Sequence, residues 1–145
     1  MAHSTKLSDA LHLLVFVETC QGSDLSSEAI ARSLACNPAS VRQLMGRLRK
    51  AGLISSVTGH AMPRLARDAA SITMLDVYRA VEGDKPLLHL DTHTNPLCGV
   101  GVNVQVVIGE RFADVQLAAE SAMAAVTLAD IIAGYQKRLG GHPVS

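Results

Sequence analysis

Residues 37–54 read Asn37-Pro38-Ala39-Ser40-Val41-Arg42-Gln43-Leu44-Met45-Gly46-Arg47-Leu48-Arg49-Lys50-Ala51-Gly52-Leu53-Ile54, a complete helix with its start and stop signals. Asn37 is a good cap, and Pro38 falls at the first helical position, where its missing N–H costs nothing. Gly52 follows the last periodic residue and can take the left-handed conformation that ends a helix. Val41, Leu44, Met45 and Leu48 recur at helical spacing and define a buried stripe. Ala39, Gln43, Gly46 and Lys50 then lie opposite it, with Arg42 and Arg49 on one flank and Ser40 and Arg47 on the other. A short helix with a small, polar and basic outer face suits the major groove of DNA. There Arg and Gln can read base edges, while Lys and Ser hold phosphates.

The segment just before it reads as a second helix. Ser26 or Ser27 can cap it, Glu28 lies in its first turn, and Ala29, Ile30, Ala31 and Leu34 make its apolar side. It ends near Ala35-Cys36, so only a short turn separates it from the basic helix. Two helices joined in this way are the sequence form of a helix-turn-helix. After the basic helix, residues 53–57 read as a strand, 58–60 as a turn and 62–66 as a return strand, which Pro63 confines to an edge. A β-hairpin in that position is the wing of a winged helix. The expected fold class is therefore mainly α with a small β-hairpin: a winged helix-turn-helix domain plus a long dimerisation helix.

Working outward, residues 8–19 form a first helix. Thr73 opens another, with Asp76 completing a capping box and Gly83 closing it. Residues 84–101, rich in Pro, Gly, His, Asp and Asn, are irregular. Residues 102–126 carry Val104, Ile108, Phe112, Val115, Ala119, Ala122 and Val126 at spacings of three or four, a long amphipathic helix. Its opening, 102–108, is β-branched enough to read equally as a strand. Thr127 and Asp130 form a second capping box for a last helix that fades at Gly140-Gly141. The organisation expected is 1–83 as the DNA-binding domain, 84–101 as a linker or sensor loop, and 102–145 as the dimerisation and terminal helices. The small-residue stripe Ala118, Ala119, Ala122 and Ala125 permits close helix approach, and a twofold dimer would double the contacts to a palindromic site.

Composition narrows the function. The 145 residues suit one domain plus a dimerisation element, and a 48% hydrophobic, 3% aromatic composition implies an aliphatic core. The net charge is zero, yet residues 1–67 hold eight Lys or Arg against four acids, leaving five bases and nine acids beyond. A basic first half with an acidic remainder fits a nucleic-acid module joined to a partner or sensor region. No apolar run reaches the roughly 18 residues of a membrane span, and no secretory signal opens the chain, so a cytoplasmic protein is expected. An enzyme is disfavoured: the chain has no Ser/His/Asp spacing, phosphate-binding glycine loop or helical His-x-x-x-His site. The competing reading is a winged-helix protein-interaction module without DNA binding.

As an ensemble the chain resembles the Rrf-two family of bacterial transcription regulators, which includes the iron–sulfur cluster regulator, the nitric-oxide-sensitive repressor and the cysteine-metabolism repressor. The resemblance runs through Ser8-Asp9-Ala10-Leu11-His12, Ser26-Ser27-Glu28-Ala29-Ile30-Ala31, Asn37-Pro38 with Val41-Arg42, and Lys50-Ala51-Gly52-Leu53. It continues through Ile72-Thr73 with Leu75-Asp76-Val77-Tyr78-Arg79-Ala80-Val81-Glu82, and Cys98-Gly99-Val100-Gly101 with Asn103-Val104-Gln105. It implies a homodimer with an amino-terminal winged helix and a long crossing helix, acting on a double-stranded DNA operator as a repressor that answers a chemical signal.

Two departures stand out. Thr58 occupies the wing position where many members carry an Arg that enters the minor groove, leaving Arg64 or His60 as substitutes. Cluster-binding members supply three cysteines between wing and dimer helix, whereas this chain has Cys98 alone there, with Cys20 and Cys36 in the winged-helix part. His12 matches a ligand position of some members, but Ser8 stands where the acidic partner would be. No cofactor is therefore expected; an iron–sulfur cluster is the one alternative, and ligand count disfavours it. His89, Asp91, His93 and Cys98 could make a zinc site, but no paired Cys-x-x-Cys supports it. Cys98 reads either as a redox-sensing thiol, placed before a helix start that favours its thiolate, or as a plain loop residue. The DNA-contacting set expected is Ser26, Ser27 and Lys50 on phosphates, Ser40, Arg42, Gln43 and Arg47 facing the groove, and Arg64 in the wing.

Overall fold

A side-chain cap opens every α-helix but the first in the computed structural model, which describes residues 4–55 and 62–141. Helix α1 (Lys6–Thr19) leads to α2 (Ser27–Leu34) and α3 (Pro38–Lys50), followed by strands β1 (Ile54–Ser55) and β2 (Arg64–Leu65). A single 3-10 turn at Ala69–Ser71 precedes α4 (Met74–Glu82), the long α5 (Gly99–Ala124) and α6 (Leu128–Gly141). The protein is mainly helical with one small two-stranded sheet, as the sequence pattern implies. The strands pair antiparallel, Ile54 opposite Leu65 and Ser55 opposite Arg64. They are shorter than expected, and the wing residues 56–61, among them Thr58 and His60, lie outside the described residues. Pro63 stands just before β2 and is buried, where its missing N–H breaks no ladder bond.

One core joins the elements. Ala10, Leu13, Leu14 and Val17 of α1 pack with Ile30 of α2 and with Val41, Leu44, Met45 and Leu48 of α3. Ile72, Val77 and Val81 around α4, with Leu128 and Ile132 of α6, complete it. The predicted apolar stripe of α3 is thus buried, and this burial is what turns its opposite face to solvent. Helix α3 closes with the paired bonds of a Schellman motif: Leu53 N donates to Leu48 O at 2.9 Å and Gly52 N to Arg49 O at 2.9 Å. Gly52 has φ +75°, the left-handed conformation that stop requires.

Helices α4 and α6 start side by side. Thr73 and Asp76 exchange capping-box bonds, Thr127 and Asp130 do the same, and an antiparallel bridge joins Thr73 to Thr127. Met74 N donates to Val126 O and Leu128 N to Ile72 O, each at 2.8 Å, so each helix start is fastened to the strand-like residue before the other. Helix α5 begins at Gly99, three residues before the expected start, because Cys98 serves as its N-cap. The β-branched run 102–108 is helical throughout. No residue of α5 is buried; Ile108, Phe112 and Ala119 of the predicted stripe are half-covered, whereas Val104 and Val115 are exposed.

Candidate nucleic-acid interface

The interface is built by α2, its turn and α3. Ser26 caps α2, its Oγ accepting from Ala29 N at 3.2 Å, which leaves the hydroxyl hydrogen free to donate outward. Ser27 is half-exposed at the first position of α2, where unpaired backbone N–H groups and the helix dipole favour an anion. Asp24 accepts from Ser26 N at 2.9 Å, and that backbone hydrogen bond, more than any other influence, holds its carboxyl below the ordinary carboxylate range. At the end of α2, Ala35 adopts φ 54°, and Cys36 N donates to Ala31 O at 3.0 Å. A β-carbon at that φ costs on the order of 1 kcal/mol, and the sharp turn it permits lets α3 begin at Pro38.

Asn37 caps α3 through Ser40 N at 2.8 Å and also accepts from the Ser40 hydroxyl at 3.1 Å. With its hydrogen committed to Asn37, Ser40 can offer a ligand acceptor lone pairs, which suits a base amino group better than a phosphate. Arg42, Gln43, Gly46, Arg49 and Lys50 are all exposed along the outer face, and α3 contains no acid. Arg42 lies 3.8 Å from Glu28, an ion pair between two exposed side chains that constrains it little. Arg49 and Lys50 stand in the last turn, where cations complement the helix dipole. Arg49 belongs to this face as much as Lys50 does, although only the latter was expected to touch DNA. Arg64 is exposed on β2 at the root of the wing.

Arg47 is exposed on its flank of α3, and its Nη1 also donates to Val81 O near the end of α4 at 2.7 Å. The bond spans 34 residues, so no local pattern could disclose it.

The sensor candidates are dispersed. Cys98 is exposed, its Sγ accepting from Gly101 N at 3.4 Å, and His89 is exposed as well. His93 lies against Asp91, Nδ1 to Oδ1 at 3.4 Å. His12 Nε2 shares a hydrogen bond with Ser33 Oγ at 2.9 Å, while Cys20 and Cys36 are half-buried in the winged-helix part. Among the described residues no three His, Cys, Asp or Glu side chains converge. Among the described residues, therefore, the donors do not assemble a four-ligand site for an iron–sulfur cluster, whose ligands must converge on one center.

A three-helix core with a capped, outward basic helix followed by a two-stranded wing defines a winged helix-turn-helix protein. The model of the Rrf2, or Rrf-two, family, described as an iron-dependent transcriptional regulator, matches residues 3–134, and the chain belongs to that family. YwnA of Bacillus subtilis, provisionally named an HTH-type transcriptional regulator, is 35% identical over 129 residues, covering 89% of this chain and 96% of its own. A crystal structure described provisionally as a DNA-binding protein superposes with a TM-score of 0.73 at 35% identity, covering 88% of this chain and 98% of the other. The IscR of T. potens superposes with a TM-score of 0.69 at 25% identity, over 95% and 90% of the two chains. The protein is a transcriptional regulator with DNA as its partner, not an enzyme. Among the described residues, no helix is long and apolar enough to cross a membrane.

Proposed function

We propose that this regulator is a homodimeric, sequence-specific repressor. Its α3 enters the major groove, with Ser40, Arg42 and Gln43 toward base edges and Ser26, Ser27 and Lys50 on phosphates. The observation that carries this reading is the acid-free outer face of α3, every basic residue of which is exposed while the opposite stripe is core. Arg64 extends the positive surface toward the wing. Dimerisation is supported by α5, whose Val100 and Leu117 are 74% and 68% exposed in the single chain. Enrichment of random duplexes on the full-length protein tests the reading: a palindromic motif is expected, bound with strong salt dependence. No enriched motif and no retention on heparin would overturn it in favour of a protein-interaction module.

The signal we propose acts through Cys98 or through a small ligand, without an iron–sulfur cluster. Cys98 is exposed where the 84–98 segment joins α5, so a change at its sulfur acts on the start of that helix. Mild oxidation should weaken binding to the enriched duplex, and a reducing thiol should restore it. The same loss in Cys98→Ser would overturn the thiol arm and leave the ligand.

A further inference from the structure

We propose that Arg47 is a positioning residue of the recognition helix: by fastening α3 to the carboxyl end of α4, it sets the angle at which α3 is presented to DNA. The proposal rests on the DNA-binding reading above.

The Val81 carbonyl is one of the last of α4, where the helix supplies no N–H. The amide four residues on, Lys85 N, goes to Glu82 O instead. A guanidinium there satisfies the orphan acceptor and complements the negative helix end. The bond is short, 2.7 Å, and Val81 itself is fully buried in the core beside α3, so both ends of the fastening are held. Nη1 is thus committed within the subunit, while Arg47 as a whole remains exposed.

The same α4 is fastened to α5 on its other side. Tyr78 OH donates to Lys85 O at 3.0 Å and accepts from Gln116 Nε2 at 3.3 Å. Gln116 Oε1 accepts from Leu87 N at 2.9 Å, and Arg79 pairs with Glu120 at 3.1 Å. Polar contacts thus run from α3 through α4 to α5, and Arg47 is the link at the DNA end. A shift of α5 against α4 would reach the recognition helix through that link without any ligand touching α3.

Arg47→Ala, Arg47→Lys and Lys50→Ala in the full chain distinguish positioning from contact. Each binds the wild-type-enriched duplex, and its single-base variants, across a salt series at a temperature where thermal unfolding shows all of them folded. Positioning predicts that Arg47→Ala binds about tenfold more weakly, with base preferences in the same order and the salt slope unchanged. Lys50→Ala should flatten that slope by about one. Arg47→Lys, which can still donate to Val81 O, should recover most of the affinity. A slope reduced by about one in Arg47→Ala, a preference lost at one base pair, or no change in affinity would each overturn the inference. Failure of the wild type to enrich any duplex would instead sink the DNA-binding reading, and the inference with it. Should Arg47→Ala fail to fold, Arg47→Met, which keeps the apolar stem but neither charge nor donor, takes its place under the same outcomes, since a lysine could keep a phosphate contact and decides nothing alone.

Discussion

Gly46 lies in the middle of α3, a position where helix propensity favours almost any other residue. Glycine there costs roughly 0.5–1 kcal/mol against alanine, through the freedom it must give up on folding. Nothing in the chain demands the glycine: a β-carbon built at Gly46 meets no atom within 4 Å, and the backbone is ordinary helix. It sits on the exposed face between Gln43 and Lys50, where on the DNA-binding reading proposed above a close approach of the helix backbone to a duplex would favour it. Gly46→Ala should therefore raise the unfolding free energy by about 0.5–1 kcal/mol while weakening binding to the enriched duplex. Denaturant unfolding and fluorescence anisotropy measure the two effects. Greater stability with undiminished binding would show that α3 never comes so close.

Among the elements, α4 and α6 share one construction, a Thr–Asp capping box at each start with the two starts bridged to one another. Burial alone would push the Asp76 carboxyl up, but the hydrogen bonds from Thr73 and the charge of Arg67 outweigh it and hold the pKa below its ordinary value of 3.8. Asp130 is lowered in the same direction, chiefly by the backbone bond from Thr127. A carboxyl whose folded pKa is depressed stabilises the fold fully above its unfolded pKa. That stabilisation drains away as pH falls through the lower folded value. Asp76→Asn should thus be less stable than wild type near neutrality, the gap closing in acid; a gap of constant size from pH 7 to pH 3 in urea titrations would refute the account.

These boxes were legible in the sequence because a cap is a local pattern of four residues, and the same holds for Asn37-Pro38 and Gly52 around α3 and for the Thr73 to Gly83 span of α4. The start of α5 was less so: the run from Val102 to Ile108 favours a strand by side-chain shape, and the helix prevails because it opens earlier, on the Cys98 cap. The exposed basic face of α3 followed from the burial stripe that opposes it, which the periodicity discloses. The bond from Arg47 to Val81 was not legible, because its partner belongs to another helix and only the packed fold brings the two together.

At the scale of the whole molecule, α5 is the element that a single subunit leaves incomplete. Its 26 residues extend about 39 Å, and the first stretch, 99–109, carries no charge at all. A helix apolar on nearly every side belongs in an interior, yet Val106 and Val107 are 56% and 54% exposed here. One side of α5 is half-covered by α4 and the 84–98 segment, leaving Val100, Val106 and Leu117 outward. In the homodimer proposed above, a second copy would supply an equally apolar helix at equal concentration and would set two copies of α3 at a fixed distance. The wild type should then travel at twice the 15.3 kDa of one chain in size exclusion with light scattering. Val106→Lys with Leu117→Lys should shift it toward the single-chain mass, since burying two unpaired charges opposes association. The same pair should cut affinity for a palindromic duplex far more than for an isolated half-site, because only the dimer gains from the second half-site. A wild type that already runs as a single chain, yet binds the palindrome no more weakly than expected of a dimer, would separate recognition from α5 altogether. The long helix would then need a different partner to cover it.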